Sequence, residues 1–117
     1  MIGFCMGGRL SQLFAMDTAQ VGAAVMFYGS PVADSSRLAA LSAPLQAHFG
    51  AEDQGIGIAR VGEFKTALQK AKKVAEVYIY PGAGHAFMHE GRPSFRPDAA
   101  RQAWARTLSF LQKYLKS

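Results

Sequence analysis

The feature that most constrains this chain is the run Val21-Gly22-Ala23-Ala24-Val25-Met26-Phe27-Tyr28, eight apolar residues closed by Gly29. A membrane-spanning helix needs about 20 such residues, so the run is far too short for one. A strand with one wet face would alternate apolar and polar side chains. A continuous apolar run instead predicts a strand buried on both faces, as in parallel sheets covered by helices. Pro44 to Phe49, closed by Gly50, reads as a second buried strand. Val74 to Tyr80 alternates and is rich in β-branched and aromatic residues, which predicts a third.

Helical patterns separate these runs. Met6, Leu10, Leu13 and Phe14 recur at helical spacing, and a brief helix fits Ser35–Leu41. Arg60 to Lys72 is amphipathic, with Val61, Phe64, Leu68 and Ala71 on one face. Pro97 suits a first helical turn, and from there Ala100, Trp104, Leu108, Leu111 and Leu115 predict the core stripe of a last helix. Strands alternating with helices predict an α/β fold. The expected architecture is a mostly parallel sheet of three to four strands flanked by helices, with at most a stub of strand before Cys5. The 117 residues are expected to form one domain, 1–117. Strands this apolar should leave a greasy edge exposed unless something covers it.

Charge and cysteine usage exclude several classes. The net charge is +5, but the basic residues are dispersed. The cluster Lys70, Lys72, Lys73 sits at an expected helix end, where cations meet the helix dipole favourably. A solvated helix face explains it better than a nucleic-acid patch, and no zinc-finger or RNA-binding signature is present. One cysteine excludes an intrachain disulfide framework and a cysteine-based zinc cluster. The opening MIGFCMGGRL has no basic stretch ahead of an apolar one, so no secretory signal is expected. These features together predict a protein of the cytoplasm, with neither nucleic acid nor membrane as partner.

The chemistry concentrates in three segments. Gly3-Phe4-Cys5-Met6-Gly7 has the form G-x-nucleophile-x-G, with Cys5 at the centre. A tight strand-to-helix turn exposes the central side chain, and the flanking glycines let the backbone close around it. The following helix N-terminus would lower the thiol pKa, and the Met6 N–H would donate into an oxyanion hole. Asp53 follows the second strand in His48-Phe49-Gly50-Ala51-Glu52-Asp53. His85 follows the third in Gly82-Ala83-Gly84-His85-Ala86-Phe87. Cys5, Asp53 and His85 thus have the nucleophile–acid–histidine order of α/β-hydrolases. Each sits at a strand C-terminal end, where open α/β sheets place their ligands. In that arrangement Cys5 attacks an acyl carbon, His85 carries the proton and Asp53 orients the imidazole.

Other pairings are weaker. His85 and His89 lie four apart beside Glu90, but the surrounding glycines argue for a loop, so no metal site is expected. Glu52 and Asp53 are adjacent on a loop and do not face each other as glycosidase carboxylates must. Gly3, Gly7 and Gly8 do not complete a dinucleotide fingerprint.

The segments GFCMGGR, HFGAED and YPGAGHAF, with the downstream ARQAWARTLSFLQKYL, resemble the motifs and terminal helix of the dienelactone hydrolase (carboxymethylenebutenolidase) family. The resemblance covers nearly the whole chain and corresponds to the C-terminal half of that family. It implies a partial α/β-hydrolase fold and a Cys5–His85–Asp53 triad that hydrolyses a small ester or lactone without metal or organic cofactor. It also implies a substrate pocket bounded by aromatics, with Phe4, Tyr28 and Phe87 at the matching positions. The family's Ser after the histidine and Arg four residues after it are Ala86 and His89 here, a departure at the carboxylate-binding contact. Two copies pairing across the exposed strand edge would rebuild a continuous sheet. The competing readings are a non-catalytic hydrolase remnant serving as an interaction module, and a redox-responsive thiol protein.

Overall fold

The computed structural model describes residues 2–4, 12, 22–29, 31, 38–39, 41, 43–53, 56–85, 87–88 and 96–115. Four strands, β1 (Ile2–Phe4), β2 (Ala24–Phe27), β3 (Leu45–Gly50) and β4 (Ala75–Tyr80), form one sheet in the order β1-β2-β3-β4. Every pairing is parallel. The expected stub before Cys5 is therefore a full partner of the sheet, with Ile2 opposite Val25 and Phe4 opposite Phe27.

The apolar run at β2 is buried on both faces, as its composition requires. Ala24 and Met26 join one core cluster with Leu45, Ala47 and Phe49 of β3. Helix α1 (Ile58–Lys70) covers that face with Val61, Phe64, Ala67 and Leu68. Val25 and Phe27 point the other way and meet Ala99, Ala103 and Phe110 of helix α2 (Pro97–Leu115). β2 and β4 thus send alternate residues into the two cores.

Helix α1 starts and stops two residues earlier than its periodicity predicts. Its end has no proline or glycine. Lys72 takes φ +56 and donates its N–H to the Gln69 carbonyl, and Lys73 donates to Leu68. These are the paired closing bonds of a Schellman motif, built here with a lysine in the left-handed region usually occupied by glycine.

The stripe expected on α2 is corrected. Trp104 and Leu108 stay 44% and 52% exposed, and the buried positions are Ala99, Ala103, Thr107 and Phe110. Leu111 is half-buried, as expected of a core-facing residue. Leu115 ends the helix, and its side chain lies outside the described residues. The offset has a physical cause in β3. On the α2 side this strand presents Gln46 and His48, both wholly buried. Small residues let the helix approach them, and Thr107 can face a polar surface where Trp could not.

That surface is a closed hydrogen-bond network. His48 Nε2–H donates to Gln46 Oε1 at 2.8 Å, and His48 Nδ1 accepts from the Tyr80 hydroxyl at 2.8 Å. Gln46 Nε2 donates to Glu76 Oε1 and to the Arg106 carbonyl on α2. Tyr78 donates to the same Glu76 oxygen. Among the described residues no buried side-chain nitrogen or oxygen lacks a partner, as the cost of burying an unpaired polar group demands. Burial, helped by the Arg106 charge, holds the His48 pKa down at about 3, so the imidazole is neutral.

The helical pattern at Met6–Phe14 falls outside the described residues, apart from Gln12, which is helical and buried. The segment expected as a brief helix at Ser35–Leu41 is described only at residues 38, 39 and 41. Leu38 and Leu41 from it are buried in the α1-side core.

Candidate active site

Because all four strands run parallel, their C-terminal ends line one edge of the sheet. β1 ends there at Phe4, β3 at Gly50 and β4 at Tyr80. Cys5 and Met6, the expected nucleophile and oxyanion donor, lie outside the described residues. Asp53 and His85 are described, on the loops leaving β3 and β4.

The two loops hold each other through backbone bonds. Ala51 N–H donates to the Tyr80 carbonyl at 3.0 Å, and Glu52 N–H donates to the Ala83 carbonyl at 2.9 Å. Tyr80-Pro81-Gly82-Ala83 has the composition of a type II turn, and Gly82 takes the required positive φ of 75°. The Ala83 N–H closes that turn on the Tyr80 carbonyl. Gly50 makes the approach possible. A Cβ at that position would lie 2.3 Å from the Ala83 carbonyl oxygen and 2.7 Å from that of Gly84.

Within this frame Asp53 serves two partners at once. Oδ1 accepts the Ile56 N–H at 3.3 Å, and the Gly57 N–H closes on the Asp53 carbonyl at 2.9 Å. Oδ2 takes His85 Nδ1 at 2.7 Å. The turn-forming role and the pairing role are therefore not alternatives. The carboxylate is 2% exposed and the imidazole 45%. A carboxylate only accepts, so the shared proton sits on Nδ1, and Nε2 is directed away from Asp53 as the basic nitrogen.

Aromatic side chains surround this pair. Tyr28 stands edge-on to the His85 ring at 5.2 Å and packs on Phe87 at 5.4 Å. Phe4 lies 6.1 Å from Tyr28 and stacks on Phe27 at 4.5 Å. Of the three residues expected at a pocket, Tyr28 touches His85, and Phe4 and Phe87 pack near Tyr28. Phe4 is 42% exposed, whereas Tyr28 and Phe87 are buried. Tyr28 takes φ +40, a conformation that costs a bulky residue free energy and tends to mark functional turns.

One feature was not anticipated from the residues. Phe4, Phe27, His48 and Tyr78 occupy one register line across all four strands. Phe27 stacks on His48 at 4.6 Å, His48 stacks on Tyr78 at 5.7 Å, and the Arg106 guanidinium sits 4.2 Å above the Tyr78 ring. The ladder passes through the last residues of β1 and β2 and lies two residues short of the ends of β3 and β4. A signal existed in the sequence: Phe27 and His48 each stand two residues before the closing glycines Gly29 and Gly50.

Among the described residues, no three His, Cys, Asp or Glu side chains gather as metal ligands would. No described helix is long and apolar enough to cross a membrane.

Comparison with known proteins bears on the same residues. The model of the dienelactone hydrolase family matches residues 1–115. The protein named "Putative carboxymethylenebutenolidase" in Methylorubrum extorquens is 39% identical over 96% of this chain and 42% of its own length. A Bradyrhizobium protein named "Probable 2-oxo-3-(5-oxofuran-2-ylidene)propanoate lactonase" is 36% identical over 97% of this chain and 50% of its own. Among solved structures, the "Putative Dienelactone Hydrolase" of Klebsiella pneumoniae superposes with a TM-score of 0.90 at 34% identity. It covers 97% of this chain and 51% of its own. The chain thus spans about half the length of the relatives it matches. The family match extends from β1 through both site loops to the end of α2, and the chain belongs to the dienelactone hydrolase family.

Proposed function

We propose that this chain carries the catalytic triad of a hydrolase acting on a small ester or lactone, with Cys5 as nucleophile, His85 as base and Asp53 as the group that orients it. The observation that supports this most is the 2.7 Å bond from His85 Nδ1 to the buried Asp53 carboxylate. It lies at the sheet edge where β1 ends, one residue before Cys5.

The chemistry follows from that tautomer. The Cys5 sulfur, its proton passed to His85 Nε2, adds to the carbonyl carbon. The carbonyl π electrons move to oxygen, where the Met6 N–H stabilises the negative charge. When the carbonyl re-forms, the C–O bond breaks, and the leaving alkoxide takes the proton from His85. A thioester on Cys5 remains. Water attacks it while Nε2 accepts a proton, the thiolate departs, and the carboxylic acid is released. Asp53 holds the ring in place and stabilises the imidazolium at each transfer. Phe4, Tyr28 and Phe87 supply an apolar surround for the acyl group. The reaction as written requires no cofactor.

Intact-mass spectrometry after brief exposure to an activated acetyl ester tests this. An acetyl adduct on Cys5 that turns over, and that collapses in His85→Ala and is absent in Cys5→Ala, supports the triad. No adduct, or one indifferent to His85, overturns it. An unreactive Cys5 would favour the interaction-module reading. Peroxide-driven oxidation of Cys5 without dependence on His85 would favour the redox one.

Residues 1–117 act as one domain in this reading, and its lone cysteine suits the reducing cytoplasm. β1 pairs with β2 on one side, and its Phe4 side chain is exposed. A second copy bonding along the other side of β1 would extend the sheet. Light scattering that finds a monodisperse monomer overturns this pairing.

A further inference from the structure

We propose that Arg96 is a positioning residue for His85, holding the chain on both sides of the histidine from the start of α2. Arg96 is the N-cap of that helix, since its carbonyl accepts the Ala100 N–H at 2.8 Å and Pro97 follows as the first helical residue. Arginine has no side-chain acceptor for the unpaired N–H groups of the first turn. Ser, Thr, Asp or Asn would stabilise the helix there, so this position departs from the local rule. Such departures tend to fall at sites under another demand.

The other demand is visible on the loop. Arg96 Nε–H donates to the Gly82 carbonyl at 3.2 Å, and the Arg96 backbone N–H donates to the Phe87 carbonyl at 3.0 Å. Gly82 and Phe87 stand on either side of His85 in the segment between β4 and α2. The intervening Gly82-Ala83-Gly84 has high backbone freedom. Two bonds from one rigid helix terminus narrow the loop's range and hold the imidazole against Asp53. The side-chain bond uses a charged donor, which makes it stronger than a neutral one. The functional consequence rests on the hydrolase reading above. The positioning itself rests only on this geometry.

The substitution Arg96→Ser separates the two roles, because it improves the cap and deletes the side-chain tether. In the 117-residue chain, the downfield proton resonance of His85 Nδ1–H reports the bond to Asp53 without any need for turnover. Solvent exchange of that proton is expected to be about fivefold faster in Arg96→Ser, the scale of one lost hydrogen bond. The thermal midpoint should hold or rise, and Arg96→Lys, which keeps the charge without the planar fork, should fall between. Unchanged exchange in Arg96→Ser overturns the proposal. Faster exchange accompanied by a lower midpoint also overturns it, because it reports general loosening. Faster exchange with the midpoint held, in a chain whose Cys5 does not acylate, would overturn the hydrolase reading and leave the positioning role standing.

Discussion

His48 lies within β3 and His85 on the loop leaving β4, each with a ring nitrogen within 2.8 Å of a side-chain oxygen. Their surroundings give them opposite properties. His48 is wholly buried between Phe27 and Tyr78, and its partners are a neutral hydroxyl and a neutral amide. Burial and the Arg106 charge keep it uncharged. His85 is 45% exposed, and its partner is a buried carboxylate. One imidazole therefore serves as a packed, hydrogen-bonded element of the core. The other keeps one nitrogen pinned and the second available for proton transfer. The residue type alone specifies neither role.

The sharpest test of that contrast is Asp53→Asn. The amide retains an acceptor for the Ile56 N–H but can present its NH2 group to His85, which favours the wrong tautomer. Turnover of an activated ester should fall by about 10⁴-fold, with the denaturation midpoint little changed. A loss smaller than tenfold would mean that Asp53 does not govern His85.

Next in size is Gly50→Ala, which attacks the frame rather than the pair. The new methyl would meet two backbone carbonyls, and neither can give way as a flexible side chain would. Overpacking of this kind costs about 1–3 kcal/mol. Because it parts the two loops, activity should fall by more than the stability loss alone explains. Urea denaturation alongside initial rates measures both, and a variant with normal activity would show that the loops tolerate separation.

The smallest effect, and the one that isolates His48, is on acid stability. The His48 pKa is about 3 in the folded chain against an ordinary 6.5, so between these values the unfolded chain binds the extra proton. Its contribution is fully present above pH 6.5 and is lost as the pH falls toward 3, on the order of a few kcal/mol over the window. His48→Gln should flatten that part of the stability–pH curve. It should also leave a penalty of about 1–3 kcal/mol at neutral pH from the broken network, while ester turnover changes little. A curve of unchanged slope would remove His48 from the acid response.

Much of this was legible in the residues. The continuous apolar run at 21–28 announced a strand buried on both faces, Pro44 to Phe49 read as a second buried strand, and β2 and β3 are so buried. The Pro81-Gly82 turn and the glycine that ends β3 marked the loops on which Asp53 and His85 were expected, and the structure brings those two together. The face of α2 was misjudged because hydropathy ranks Trp104 and Leu108 above Ala99, Ala103 and Thr107. What the helix actually meets is the polar pair Gln46 and His48, which periodicity along α2 cannot reveal.

The chain's own sequence determined the α/β class, the parallel sheet and the chemical candidates, because strand burial and turn chemistry are local properties written in adjacent residues. Tertiary structure alone decided that His48 is a neutral, hydrogen-bonded part of the core. It also decided that Phe4, Phe27, His48 and Tyr78 align across four strands and that Arg96 reaches back to the histidine loop. The reason is physical: protonation, stacking and positioning depend on what stands within a few ångströms. Residues 32 or more positions apart come that close only when the strands are in register.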